Sequence, residues 1–191
     1  MRSVKRECRI EFEEKKSKFI GYIKPVGTKA EAEKFIASIK ERHPDATHNC
    51  SVYKLTENGQ EYFKADDDGE PSGTAGKPMG EILNYMDVTN VVIVATRYFG
   101  GIKLGAGGLV RNYAKTAKLA VIEGEISEFV EKKEYILDFP YEKNSEVDLI
   151  LRGAGVEPDY KNYGERVTYQ VTLDSPTYEL ITQLGGIIIL N

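Results

Sequence analysis

The 191-residue chain has only two cysteines and two histidines, and no apolar run approaches the ~20 residues of a membrane helix. Each scarcity removes a class of protein. Cys8 and Cys50 cannot build a disulfide framework, and neither belongs to a CxxC or other zinc-ligand spacing. Both are expected to be reduced, partly buried small hydrophobes. His43 falls in a helix-ending HPD and His48 stands alone in THNC, so no Ser/His/Asp or Cys/His set has the members for a nucleophile. The opening MRSVKRECRIEFEEKK lacks an apolar signal core. These absences predict a cytoplasmic protein with no membrane partner, no metal and no cofactor, leaning away from an enzyme.

What is present is an ordinary globular composition, 41% apolar and 29% charged, with unevenly spread charge. Residues 126–191 carry 12 acids and 6 bases, whereas residues 1–125 carry 18 acids and 20 bases. Val88–Ile122 contains no acid at all, yet holds Arg97, Lys103, Arg111, Lys115 and Lys118. Such asymmetry speaks to partners rather than to fold.

Periodicity predicts strands over 4–12 and 19–26, joined by the polar turn EEKKSK. Thr28 and Glu31 form a capping box ahead of a helix whose apolar face is Ala32, Phe35, Ile36 and Ile39. A second strand pair, 47–55 and 60–66, flanks the turn TENG. The segment 65–73 reads as loop, and TAGKPMGEILNYMD as a helix with Pro78 in its first turn. NVVIVATRY is a strand apolar on both faces. LVRNYAKTAKLAVIEG is a strong helix with Val110, Tyr113 or Ala114, Ala117 and Val121 inward, ended by Gly124. From about residue 128 the order becomes strand, helix, strand, strand, helix, strand, the βαββαβ motif of ferredoxin-like domains. An α+β protein with domains at 1–125 and 128–191 is expected.

Two stretches could carry chemistry. In RYFGGIKLGAGG (97–108), five of the nine residues from Gly100 to Gly108 are glycine. The dinucleotide fingerprint fails, because G-A-G-G-L-V ends in Val110, and Gly73–Pro78 lacks the spacing and hydroxyl of a P-loop. A glycine-rich loop before a helix still offers backbone N–H groups to an anion. Arg97, Lys103, Arg111 and Lys115 would hold phosphates, and Tyr98 or Phe99 could stack on bases. Gly100, Gly101, Gly105, Gly107 and Gly108 shape the loop. Gly101 and Gly107 are expected at positive φ. The bland alternative is that the glycines serve packing and the bases line a solvated face. The second stretch, Asp66–Pro71, sets Asp67, Asp68 and Glu70 close together. It lacks the calcium-loop spacing and reads as an acidic turn or partner-binding loop whose Asp67 and Asp68 can be exchanged for Asn at little cost.

ATHNC (46–50), DDGEPSGTAGKPM (67–79), VVIVATRYFGGIKLGAGGLVR (91–111) and SKFIGY (17–22) together resemble the YigZ/IMPACT family, over residues 1–125 in order and spacing. His48 and Lys77 enter as motif positions. Gly80, where an aliphatic is usual, and Asn112, where a small residue is usual, depart from the pattern. The resemblance implies a first domain like the second domain of ribosomal protein S5, followed by a small ferredoxin-like domain. It also implies kinship with eukaryotic translational regulators, and it carries no catalytic residues. Three functions stay open: a translation-linked protein that contacts RNA or the ribosome, without DNA specificity; a regulator with a protein partner in translational control; and a small-anion or nucleotide-binding enzyme.

Overall fold

Alternation and capping account for most of the elements. In the computed structural model, which describes residues 1–57, 59–130 and 132–190, the chain divides into two compact units, Met1–Phe129 and Val130–Asn191. The expected first strand is two. β1 (Arg2–Val4) is separated from β2 (Cys8–Glu14), and β3 (Ser17–Pro25) follows across a two-residue turn. Helix α1 (Lys29–Arg42) starts at the predicted capping box, with the Thr28 side chain accepting from the Glu31 N–H, and buries Ala32, Phe35, Ile36 and Ile39. β4 (His48–Glu57) and β5 (Gln60–Asp66) pair as foreseen, although Asn58 of the TENG turn lies outside the described residues.

α2 (Gly76–Tyr85) carries Pro78 in its first turn, where a missing N–H costs nothing. The ring of Phe63 lies over Gly80; a Cβ there would come within 2.6 Å of Phe63 Cζ, so the missing aliphatic is replaced from the neighbouring strand. β6 (Val91–Tyr98) and α3 (Ala106–Gly124) complete the main body, with α3 starting three residues earlier than expected. The inward stripe of α3 begins at Leu109 rather than Val110, which is exposed, and Ala114 is only partly covered. Asn112 is buried and its Nδ2 donates to the Gly108 carbonyl at 2.8 Å.

The five strands form one antiparallel sheet in the order β2-β3-β6-β4-β5. One face packs Phe19, Ile23, Val52, Val91, Ile93 and Ala95 with residues of α2 and α3; the other packs Ile20, Tyr22, Leu55, Val92 and Val94 against α1. β6, the central strand, is therefore apolar on both faces, although the sheet is antiparallel and not parallel. Each fully buried aliphatic in these layers contributes about 1.5–3 kcal/mol. β7 (Ile126–Glu128) pairs with β1, which carries the first unit past the expected boundary at 125.

In the second unit, β8 (Lys132–Phe139), α4 (Asn144–Gly153), β9 (Tyr160–Tyr163), β10 (Val167–Asp174), α5 (Ser175–Gln183) and β11 (Ile188–Leu190) follow in the predicted order. Their sheet runs β11-β8-β10-β9, all antiparallel. Asp174 caps α5 through the Thr177 N–H, and these bonds hold its carboxyl below the usual range. The core is Leu137, Phe139, Val147, Leu151, Tyr169, Val171 and Ile181.

Candidate functional site

The glycine loop leaves the end of β6, and the residue that introduces it is not at the surface. Arg97 is 5% exposed. Its Nη1 donates to Glu70 Oε1 at 2.7 Å and its Nη2 to Ser17 Oγ at 3.4 Å. Its guanidinium carbon lies 5.8 Å from the centre of the Phe19 ring and 5.5 Å from that of Phe99. Tyr113 of α3, fully buried, donates to the same Glu70 oxygen at 2.8 Å, and burial pushes its phenol well above the ordinary range. Arg97 is thus a strut between β6, the acidic loop and α3. It is not free to take a phosphate, which corrects the sequence expectation: a charge so enclosed must be paired where it stands.

The acidic loop is likewise used internally. Asp67 Oδ1 accepts from the N–H groups of Ala75 and Gly76 at 3.0 and 2.8 Å, and Oδ2 from Gly73 at 2.7 Å. Burial works to raise its pKa, but these three donors outweigh it and hold the carboxyl below the usual range. Asp67 is a remote cap for α2, which has no side-chain bond from its own N-cap residue. Asp68 Oδ2 accepts the Asn49 N–H at 2.6 Å and Oδ1 pairs with Lys40 at 2.7 Å. His48 Nδ1 donates to the Asp68 carbonyl at 2.8 Å, which turns Nε2 to within 3.8 Å of Glu70 Oε2. The Cys50 thiol donates to the Asp67 carbonyl, and burial pushes its pKa up strongly, as befits an inert thiol. Among the described residues no three His, Cys, Asp or Glu side chains are placed to hold a metal. The acidic and glycine loops do meet, but through the buried Glu70–Arg97 pair.

Beyond Arg97 the loop opens to solvent. Tyr98 is half-buried and is not a free platform: His43 Nδ1 bonds its hydroxyl at 2.8 Å, and it donates to Asp45 at 3.2 Å. His43 also contacts the Tyr22 hydroxyl at 2.7 Å, and burial lowers its pKa. Phe99 is 46% exposed. Gly100 explains itself by close approach: a Cβ there would stand 1.9 Å from the Lys16 carbonyl oxygen. Gly101 and Gly105 have φ of 85° and 72°, as only glycine readily accepts. Gly107, expected at positive φ, lies instead in the first turn of α3, next to Gly108. Lys103, Arg111 and Lys115 are exposed, with Lys115 Nζ 4.2 Å from the centre of the Phe12 ring. The first turn of α3 has no acidic residue and no side-chain cap, and Arg111 Nη1 reaches back to it, 3.6 Å from where a Cβ on Gly107 would stand. Lys77 faces solvent, 4.0 Å from Glu81.

Sequence reasoning placed the EEKKSK turn between β2 and β3 but gave it no part in the site; its Lys15 and Lys16 are exposed, and the Ser17 that follows bonds both Arg97 and the Gly100 N–H. It also missed Tyr113 as a partner of Glu70. The signal for the turn's role was available: two lysines stand between the two strands.

A two-unit protein of mixed helix and antiparallel sheet, with a basic glycine loop next to a buried ion pair, is what these observations define. The Impact N-terminal domain family matches residues 15–121. The chain belongs to the YigZ/IMPACT family. It is 55% identical over 101 residues to the IMPACT family member YvyE of Bacillus subtilis, covering 53% of this chain and 46% of that protein. With the IMPACT family member YigZ of Escherichia coli it shares 33% over 153 residues, 78% of this chain and 75% of that one. The chain thus spans about half the length of YvyE and three quarters of YigZ. A crystal structure of a hypothetical protein matches with a TM-score of 0.64 at 28% identity, covering 99% of this chain and 95% of that one. No described helix is long and apolar enough to cross a membrane.

Proposed function

We propose that the protein is a non-catalytic, translation-linked binding protein that contacts RNA or the ribosome through the basic face of its glycine loop. The observation that carries this is the uncapped, acid-free first turn of α3, which follows a glycine loop that exposes Lys103 and Phe99, with Arg111 and Lys115 exposed further along the same helix. Cations and free amides suit phosphates, and an exposed ring suits an unstacked base. The link to translation rests on the resemblance to the family, which implies kinship with eukaryotic translational regulators. The first unit then corresponds to a domain like the second domain of ribosomal protein S5 and the second to a ferredoxin-like domain, the latter supported by its antiparallel β11-β8-β10-β9 order.

These three contacts contribute about −2 to the log–log salt slope for a single strand, at roughly −0.7 per contact. Filter binding of a short RNA across a salt series tests this, with Lys103→Ala and Arg111→Ala each expected to flatten the slope by nearly one contact. Absence of binding at ~50 mM salt overturns the reading. A protein partner in translational control is the second reading, favoured by the exposed Ile102 and Val110 on the same loop and helix. Ribosome co-sedimentation with mass spectrometry of what stays bound separates the two. The anion-binding enzyme loses ground, because Asp67, Asp68 and Glu70 are all spent on internal bonds.

A further inference from the structure

The turn between β2 and β3 is made of the wrong residues for a turn. Lys15 and Lys16 have φ of 47° and 61°, and Glu14 pairs with Ser17, so the loop has two residues and the positive φ values of a type I′ turn. That turn strongly prefers Asn-Gly, because side chains at positive φ crowd the backbone. Here two exposed lysines occupy both positions at a conformational cost.

The same turn touches the glycine loop. Gly100 packs on the Lys16 carbonyl with no room for a Cβ, and its N–H bonds Ser17 Oγ at 3.3 Å. The two backbones are therefore held in fixed register, with the ammonium-bearing turn against the start of the Lys103 loop. Most of the unit's other cations are paired: Arg2, Lys5, Arg6, Arg9, Lys18, Lys24, Lys40, Lys64, Lys77 and Arg97 each meet a carboxylate. Among the described residues, Lys15, Lys16, Lys103, Arg111 and Lys115 meet none, and neither do Lys29, Lys34, Arg42, Lys54 and Lys118. Of the acids in the same hairpin, Glu11 pairs with Arg9 and Lys18, Glu13 stands opposite Lys18, and the partly buried Glu14 stands opposite Ser17. Unpaired cations gathered from two separate segments cost self-repulsion, which a polyanion relieves.

We infer that the Lys15–Lys16 turn is the second arm of the RNA-binding face, gripping the phosphate chain of a single strand whose other contacts are Lys103, Arg111 and Lys115. This rests on the RNA reading above and names the hairpin as a determinant of affinity. A single strand is favoured over a protein partner because the turn presents charge without an apolar side chain, and every phosphate of the strand can be held alike.

The test is the double variant Lys15→Asn/Lys16→Gly, which removes both charges while supplying the preferred turn. Its melting temperature should hold or rise, so lost binding cannot be ascribed to unfolding. Fluorescence anisotropy with a short single-stranded RNA should show the salt slope flatter by about 1.4, and affinity at ~0.1 M salt about 25-fold weaker. Lys132→Gln/Lys133→Gln, with the same change in net charge on the second unit, should leave the slope unchanged. If the parent binds and the turn variant binds equally, or if both variants flatten the slope alike, the hairpin arm is wrong while the glycine-loop reading stands. If the parent fails to bind at ~50 mM salt, the RNA reading itself has failed and the hairpin arm with it.

Discussion

Glu70→Gln is the substitution that best separates a structural Arg97 from a phosphate-binding one. The Arg97 and Glu70 side chains are 7% and 3% exposed, and their nearest atoms are 2.7 Å apart. Glutamine keeps the shape and an acceptor oxygen for Tyr113, but leaves the guanidinium without a counter-charge between the rings of Phe19 and Phe99. Breaking one side of a buried pair costs about 3–5 kcal/mol, a large part of the ~5–15 kcal/mol that stabilises a typical domain. For a unit of this size the melting temperature should fall by roughly 10–20 °C. Thermal and urea unfolding followed by circular dichroism would measure it. Arg97→Met combined with Glu70→Leu should recover part of the loss, since removing both charges leaves no orphan, although Tyr113 then lacks its acceptor. If Glu70→Gln shifts the melting point by less than ~3 °C yet abolishes RNA retention, Arg97 is a ligand contact and the strut argument fails.

Two other expectations follow from the backbone. Gly100→Ala should cost about 3 kcal/mol, because its Cβ would overlap the Lys16 carbonyl, whereas Gly107→Ala in the first turn of α3 should be neutral or stabilising by up to ~1 kcal/mol; equal melting points for the two would refute the distinction. A fragment of residues 1–129 should melt cooperatively, and one of residues 1–125 should melt several degrees lower, because β1 then loses its partner strand and exposes Val4; indistinguishable melting curves would show that the β1–β7 pair adds nothing.

How far the sequence reveals this molecule depends on the range of the interactions involved. The α1 capping box, the apolar stripe of α1 and the doubly apolar run of β6 are set by neighbours within a few positions, and those features stand where they were expected. β1 does not, because three residues become a strand only through partners more than a hundred positions away at Ile126–Glu128. The same limit governs the site. Lys103 and Arg111 are legible as basic residues beside glycines, and they are exposed as that pattern implies. Arg97 has the same local signature, yet it is buried, because the residues deciding its fate are Glu70, Ser17 and Tyr113, none within ten positions of it. Asp67 and Asp68 look expendable as a run of like charges; pairing each oxygen with a backbone N–H of Gly73, Ala75, Gly76 or Asn49, or with Lys40, makes them the fasteners of the loop. Gly107 carries the same expectation of positive φ as Gly101, and it fails there because α3 begins before it. A charged side chain's role is therefore settled by what the chain brings to it from a distance, which is why the buried half of this basic motif and its solvent-facing half read identically in one dimension.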